Sequence, residues 1–160
     1  SKRAELSSRR RPAFFWCFSL VVVRLGRRFL LIKERKHEQS WYIPAGRLEP
    51  HESFQDAAIR EVFEESGIRV VLEGVIRVEV SPPRTGDHYR QRVIFLARPA
   101  DDQEPAYHGT EDSLSAGWFT LEETERMDLR GHEVLEIFRY IERGEGVYPL
   151  KLLSFEGAPW

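Results

Sequence analysis

The sequence contains a single cysteine, Cys17, among its 160 residues. An internal disulfide framework is therefore excluded, and a chain with one thiol fits a reducing compartment such as the cytoplasm. Because Cys17 lies within the apolar run FFWCFSLVVV, we expect a buried structural thiol and not a reactive one.

Long apolar segments and a strong net charge are also lacking. The run around Cys17 is 10 residues long, too short for a membrane-spanning helix, and the basic beginning does not have the pattern of a secretory signal. A formal charge of −2 gives no general attraction to nucleic acid or anionic lipid. The five histidines have no paired ligand spacing, so a zinc site is not expected. We expect a cytoplasmic protein without a membrane partner.

The length is that of one domain with a substantial core. Residues 1–11 are polar and basic and predict a flexible arm, with residues 12–160 forming a single domain. An arm that binds nucleic acid is the less favoured alternative, because the basic run is short.

Segments rich in β-branched and aromatic residues predict strands joined by polar loops. The predicted strands are residues 13–24, 29–34, 41–43, 69–80 with a break near Gly74, and 90–98. Residues 81–87 and 100–112 predict loops. Thr120 and Glu123 predict a capped short helix, and apolar residues at helical spacing predict a final amphipathic helix with Val134, Ile137, Phe138 and Ile141 on one face. The expected fold is α/β, with a mixed sheet covered on both sides.

Residues 53–67 carry the signals of another helix. Ser53 and Asp56 have the spacing of a capping box, and Gly67 stands where a left-handed C-terminal cap is required. The glutamates Glu61 and Glu65 are then one turn apart on the same side of this helix.

Three carboxylates, those of Glu61, Glu64 and Glu65, therefore converge at i, i+3 and i+4. They repel one another unless a cation lies between them, and oxygen ligands suit Mg²⁺ or Mn²⁺ acting with substrate phosphates. A solvated charged face is the alternative. It fits less well, because these glutamates share their sector of the helix with Phe54 and Ala57.

This stretch resembles the Nudix box, the signature of the Nudix hydrolases. The matching positions are Gly46, Glu52, Arg60, Glu61, Val62, Glu64, Glu65, Gly67 and Ile68. The preceding WYIPAG at residues 41–46 is similar to the family's approach to the box, and Trp118–Phe119 is similar to a later strand entry. The resemblance implies a Nudix-type α/β/α sandwich that uses Mg²⁺ or Mn²⁺ to hydrolyse a nucleoside diphosphate linked to another group.

The resemblance also implies roles for individual residues. Glu64 and Glu65 match the metal-binding pair, and Glu61 matches a position that serves as a ligand or as the base toward water. Ala45 stands where a glycine is more usual and would offer its backbone carbonyl to the metal.

Two further acids and one arginine complete the implied site. Arg60 would orient the carboxylates, and Glu52 would form an ion pair or an outer metal contact. A further acid is expected from the loop before the Trp118 strand, where Asp112 has the matching spacing and Glu111 is the alternative. A solvated loop acid without a catalytic role is equally compatible with the sequence.

Basic side chains are expected to hold the phosphates that the metal does not neutralise. The candidates form a predicted basic rim, consisting of Lys33, Arg35, Arg47, Arg90 and Arg92.

The predicted substrate is a nucleoside di- or triphosphate, and the flanking segments resemble the branch that clears oxidised purine nucleoside diphosphates. A nucleotide sugar or a dinucleoside polyphosphate is the alternative substrate. A non-catalytic nucleotide- or RNA-binding module is the alternative from another class, although nucleic acid is not favoured as a partner. The sequence leaves a monomer or a homodimer open.

Overall fold

The computed structural model describes residues 11–160. The predicted flexible arm therefore lies outside the described residues, apart from Arg11, whose guanidinium pairs with Asp87 at 2.8 Å. No helix in the described part is long and apolar enough to cross a membrane.

Residues 11–160 form seven strands and three helices. The strands are β1 (Phe14–Leu25), β2 (Arg28–Lys33), β3 (Trp41–Tyr42), β4 (Ala45–Arg47), β5 (Val70–Ser81), β6 (His88–Pro99) and β7 (Ser115–Thr120). The helices are α1 (Phe54–Ser66), α2 (Leu121–Thr124) and α3 (Glu133–Glu142), with short 3₁₀ turns at His37–Gln39 and Leu150–Leu152.

Strand β1 is the centre of the sheet. It runs parallel to β6 along most of its length and antiparallel to β4, while it contacts β2 only at the hairpin tip. Strand β2 pairs antiparallel with β3 and β7, and β5 pairs antiparallel with β6 at the other edge. The predicted mixed sheet is confirmed.

The predicted break near Gly74 is a bulge within a continuous strand. The register between β5 and β6 shifts after Leu72, and again after Val75. A side chain at Gly74 would lie 2.7 Å from the carbonyl oxygen of Tyr148, whose backbone pairs with Val75. Glycine is therefore needed here so that the C-terminal segment can approach the sheet edge.

The two faces of the sheet bury separate apolar clusters. Val21 and Val23 of β1 face α1, which contributes Ala58 and Val62. The alternate residues of β1, Leu20 and Val22 among them, pack with α3 residues such as Val134 and Phe138. Because successive strand residues point to opposite faces, one central strand serves both clusters. The α/β/α arrangement and the amphipathic final helix are confirmed, with Ile137 only partly buried.

Strand β4 is not among the strands predicted from the sequence. Its three residues pair with β1 in the register Phe18↔Arg47, Ser19↔Gly46 and Leu20↔Ala45. The predicted loop at residues 81–87 is also shorter, because Ser81 belongs to β5. These short segments become strands only because a distant strand supplies the hydrogen-bond partners.

We predict that Phe138→Ala destabilises the protein by about 3–5 kcal/mol, because a fully buried ring is removed. The Phe138 ring stacks on Phe29 with centroids 4.0 Å apart. Urea denaturation measures the change in unfolding free energy. Phe155→Ala is the matched control, since 66% of that residue is exposed, and similar losses in both variants would contradict the assigned core.

Candidate active site

The ends of helix α1 are fixed by local hydrogen bonds. The Ser53 hydroxyl accepts the Asp56 amide at 3.0 Å, and the Asp56 carboxylate accepts the Ser53 amide in return. Gly67 ends the helix with φ of 76°, and its amide donates to the Phe63 carbonyl. These contacts confirm the predicted helix, and the buried side of α1 fixes its rotation against the sheet.

The carboxylate of Glu61 lies against the backbone of Gly46. A Cβ atom added at Gly46 would overlap the carboxyl group of Glu61, so a larger residue here would displace that carboxylate. Pairing of Gly46 with Ser19 of β1 fixes the position of this glycine. Gly46, the first residue of the 46–68 motif, thus leaves room for the carboxylate of Glu61.

Glu65 is almost completely buried beside Ala45. The backbone amide of Ala45 donates to Glu65 Oε1 at 3.0 Å. Burial raises the pKa of Glu65 well above its ordinary value, the Ala45 amide opposes this shift, and the carboxylates of Glu61, Glu34 and Asp112 raise the pKa further. A buried carboxylate among other carboxylates is destabilised in its charged form.

The pKa of Glu61 is raised as well. Burial is the main cause, the guanidinium of Arg60 opposes it, and the charges of Glu64 and Asp112 add to it. Five acids therefore take part in this repulsion, namely Glu34, Glu61, Glu64, Glu65 and Asp112. A cation placed among them would relieve both the desolvation and the repulsion.

Arg60 holds several of these carboxylates in place. Its Nε and Nη2 donate to the two oxygens of Glu52 at 2.7 and 2.9 Å, and its Nη1 donates to Glu61 at 2.7 Å and to Glu64 at 3.1 Å. The hydrogen bonds from Arg60 lower the pKa of Glu52. Of the two expectations for Glu52, the structure contains the ion pair.

The loop before β7 is tied to the C-terminal end of α1. The Thr110 hydroxyl donates to the Glu64 carbonyl, and the Ser113 hydroxyl donates to the Glu65 carbonyl, each at 2.7 Å. The Asp112 amide donates to the Thr110 hydroxyl at 3.0 Å. These bonds bring the predicted loop acid, Asp112, to the glutamates of the helix.

Comparison with known protein families agrees with this geometry. A family model described as the NUDIX domain matches residues 15–138. The chain belongs to the Nudix family. The resemblance seen in residues 46–68 is thereby confirmed, and the match extends far beyond the Nudix box on both sides.

Relatives and solved structures are consistent with this membership. The 8-oxo-dGDP phosphatase NUDT18 of Homo sapiens is 35% identical over 126 residues, which are 76% of this chain and 37% of that protein. A putative 8-oxo-dGTP diphosphatase of Bacillus subtilis is 38% identical over 63 residues, 39% of this chain and 42% of that protein. The chain thus spans less than half of the length of these two relatives.

The fold is shared with solved Nudix structures. A NUDIX hydrolase from Nitrosomonas europaea superposes with a TM-score of 0.72 at 24% identity, covering 92% of this chain and 100% of that one. At this identity the likeness concerns the fold, and it agrees with the mixed sheet and the helices described above.

Two arginines of the predicted basic rim are occupied within this Nudix domain. The Arg35 guanidinium donates to the carbonyls of Thr110 and Glu111 at 2.7 and 3.1 Å. The side chain of Arg92 is 14% exposed and pairs with Glu79 and Glu133, both at 2.8 Å. The predicted contact of Arg35 and Arg92 with substrate phosphates stays a prediction. Arg35 holds the acidic loop, and Arg92 neutralises two acids on the sheet face.

The other basic candidates have different surroundings. Lys33 ends β2 and accepts the Leu114 amide on its backbone carbonyl at 2.9 Å, which aligns the acidic loop. Arg47 lies over the ring of Trp16, with Cζ 4.2 Å from the centroid. Arg90 lies over Phe18 at 5.2 Å.

Glu34 is not among the residues predicted from the sequence, although its charge raises the pKa of Glu65. The Glu34 carboxylate pairs with Arg130 at 3.2 Å, and Arg130 lies 4.8 Å above the ring of Tyr42. The Tyr42 hydroxyl in turn donates to Glu133. These residues are far apart in the sequence and follow no shared spacing, so no pattern could have indicated them.

The carboxylate oxygens of the Nudix box are donors of the type that binds a divalent cation. Glu65 is a buried oxygen donor and Glu61 a partly buried one, the charged forms of both are disfavoured, and Glu64 lies beside them. No group of three or more Asp, Glu, His or Cys side chains is already arranged to hold a metal ion within residues 11–160. Arg60 instead balances Glu61 and Glu64, so metal binding would require these side chains to adjust.

We predict that Glu65→Gln stabilises the metal-free protein at neutral pH. Because the pKa of Glu65 is raised above 4.5 on folding, the folded state binds more protons, and wild-type stability falls as pH rises from 4.5 through the folded pKa. Glutamine can still accept from the Ala45 amide but does not titrate. Its advantage over wild type should therefore appear above pH 4.5 and disappear below it.

Thermal unfolding in EDTA across this pH range measures the effect. Glu73→Gln is the control, since Glu73 is exposed on β5, away from the box. A Glu65→Gln variant that is less stable than wild type at neutral pH would contradict the assigned burial of this charge.

Proposed function

We propose that this Nudix domain hydrolyses a phosphoanhydride bond in a nucleoside di- or triphosphate or a derivative, with Mg²⁺ or Mn²⁺ as cofactor. The observation that carries the proposal is the placement of the buried Glu65 and partly buried Glu61 carboxylates beside Ala45 and Gly46. Removing these carboxylates from water costs free energy in the metal-free protein, and a bound cation would offset that cost.

The metal would be held by Glu61, Glu64, Glu65 and the carbonyl of Ala45. When bound, a divalent ion neutralises phosphate charge and lowers the pKa of water. The intact spacing of the box and the carboxylates of α1 support this assignment. They also argue against the alternative of a non-catalytic binding module, for which the buried charge of Glu65 would have no use.

Proton transfer from water would be carried out by Glu61 or Asp112. Burial raises the pKa of Glu61, which brings a general base closer to neutrality and improves its ability to accept a proton. Asp112 is held nearby by the loop that Thr110 and Ser113 anchor. Arg60 acts as a positioning residue, because its guanidinium is bonded to Glu52 and Glu61.

The proposed substrate is an oxidised purine nucleoside diphosphate. The name of the human relative supports this choice, and the name of the bacterial relative supports an oxidised purine nucleotide, although the chain spans only part of each. A diphosphate would be cleaved at its α–β bond, giving a monophosphate and inorganic phosphate. Nucleoside monophosphates should be inert, since they lack the anhydride.

We also propose a cytoplasmic location. Cys17 is half-buried, and burial raises the pKa of its thiol, so the residue is suited to remain an unreactive thiol in a reducing compartment.

A hydrolysis screen tests the proposed function directly. Nucleoside mono-, di- and triphosphates, 8-oxo-dGDP, nucleotide sugars and dinucleoside polyphosphates are incubated with Mg²⁺, and the products are resolved. Turnover of 8-oxo-dGDP to the monophosphate supports the proposal. Turnover confined to a nucleotide sugar or a dinucleotide would overturn the substrate assignment while leaving the hydrolase assignment in place.

We predict that Glu64→Gln and Glu65→Gln each lower kcat by about 10²-fold or more, because losing a carboxylate weakens the metal site and its stabilisation of the transition state. Initial rates at limiting Mg²⁺ measure the loss, and thermal unfolding verifies that each variant is folded. Glu73→Gln, which makes the same change outside the site, should retain the wild-type rate. Near wild-type rates in either box variant would remove the metal assignment.

We predict that Asp112→Asn lowers kcat far more than it changes KM, whereas Glu111→Gln has little effect. Asp112 acts electrostatically on Glu61 and Glu65, whereas Glu111 engages Arg35 through its backbone carbonyl, which the substitution preserves. Steady-state kinetics on the same nucleotide measures both variants. Small and equal effects would show that the loop acid is idle and would leave Glu61 as the base.

A further inference from the structure

Strand β5 forms one edge of the sheet, and a neighbouring segment covers only part of its outer side. The backbones of Val75 and Tyr148 exchange two hydrogen bonds of 2.8 Å, and this bridge is isolated. Within residues 11–160, the stretch from Arg77 to Ser81 has a strand partner only on its inner side, where it pairs with β6. Its outward N–H and C=O groups are therefore available to another strand.

This open edge, residues 76–81, lacks several of the usual protections of an edge strand. Sheet edges are commonly protected by prolines, lysines or bulges. The bulges of β5 follow Leu72 and Val75, close to the part that Tyr148 covers. The open edge contains no proline and no lysine, and its register with β6 is regular from Arg77 onward. It therefore has the geometry that an added strand requires.

The side chains of the open edge alternate between apolar and charged. Val78 and Val80 are 41% and 53% exposed, which is high for valine in a sheet. Arg77 and Glu79 point to the opposite face, where Glu79 pairs with its cross-strand partner Arg92. The edge thus carries one cation and one anion two residues apart, with an apolar residue between them.

This charge pattern is complementary to itself. A two-fold axis normal to the sheet makes two copies of β5 antiparallel, and one residue then lies opposite its own copy. When that residue is Val78, Arg77 of each copy lies opposite Glu79 of the other. Moving the centre by one residue places two Arg77 or two Glu79 side chains opposite each other. Because like charges across strands are destabilising, the pattern favours the register centred on Val78.

The carboxylate of Glu79 has an oxygen available for this contact. Arg92 donates to Oε1, from Nη2 at 2.8 Å and from Nε at 3.0 Å. Oε2 lies 3.2 Å from Nε of Arg77 in the same copy. The side chain of Arg77 is 70% exposed, so solvent weakens this ion pair. Arg77 of a second copy can therefore replace it at Oε2 without disturbing Arg92.

A second copy of the chain is the partner that fits this edge. It carries the required cation and anion in the required order, and the two-fold axis repeats each ion pair. Tyr148 limits the pairing at one end, and Pro82 follows the strand at the other. The paired segment is therefore short.

We propose that two copies of this chain associate by antiparallel pairing of residues 76–80, with Arg77 of each copy against Glu79 of the other. The sheet then continues from one copy into the next, and the two Val78 side chains meet at the axis. This inference goes beyond the proposed hydrolysis and does not depend on it.

Sedimentation velocity over a concentration series provides the first test. We expect wild type to form a dimer in the micromolar range, since a short strand pair buries little surface. Hydrogen exchange of the peptide that contains residues 76–80 should become slower as the dimer forms. Wild type that stays monomeric up to about 500 µM, or a dimer without added protection of this peptide, would overturn the proposal.

Charge reversal provides the second test. Arg77→Glu and Glu79→Arg each place like charges across the axis and should weaken self-association at least about tenfold. An equimolar mixture of the two variants should form a heterodimer, because each glutamate then lies opposite an arginine. Thermal unfolding verifies that each variant is folded. A mixture no more associated than its components would overturn the pairing of Arg77 with Glu79.

A second pair of variants tests the register independently of Arg92. Val78→Glu and Val78→Lys each place two like charges at the axis and should reduce self-association, whereas their mixture should associate. This rescue is specific to a register in which residue 78 lies opposite itself. A mixture that stays monomeric would overturn the proposed register, even where the Glu79→Arg protein fails to fold.

Arg98→Glu is the matched control, because Arg98 is exposed on β6 toward the other end of the strand and the substitution makes the same charge reversal. It should retain wild-type self-association. Equal weakening by Arg98→Glu and Arg77→Glu would attribute the effect to net charge and overturn the interface. A wild-type dimer that neither Arg77→Glu nor Val78→Glu weakens would place the contact on another surface and would also overturn it.

Discussion

The contact between the Glu61 carboxylate and the backbone of Gly46 is the constraint on which the candidate site depends. The glycine is positioned by β4, which pairs with the central strand β1. The glutamate is positioned by α1, whose rotation is set by buried residues such as Val62. A shift of either element would separate the two groups or make them overlap. The packing of the helix on the sheet therefore fixes the relative positions of the site residues.

Desolvation explains why this site needs so many supporting contacts. Burial of Glu61 and Glu65 disfavours their charged forms, and each receives one compensating group, Arg60 or the Ala45 amide. The compensation is incomplete, since both pKa values remain raised. The fold thus holds acids in a state less favourable than in water, as expected where binding of a cation repays the cost.

The arginines near the box show how one residue type serves different purposes. Where an acid lies opposite, as Glu133 does for Arg92, the guanidinium is neutralised and becomes part of the framework. Where an aromatic ring lies beneath, as Trp16 does for Arg47, orientation is fixed and the charge is retained. The neighbour across the sheet, and not the arginine itself, decides whether the side chain is free to meet a ligand.

The sequence by itself determined the features that rest on local signals. Helix α1 was predictable because Ser53 and Gly67 cap it, and its glutamates are spaced by helical periodicity. The mixed sheet followed from the β-branched segments. Tertiary structure alone decided that residues 45–47 form a strand and that Glu34 acts on Glu65. It also decided which arginines are paired. The physical reason is that hydrogen-bond partners and electrostatic neighbours of this kind come from distant parts of the chain, and no local pattern specifies which residues will meet.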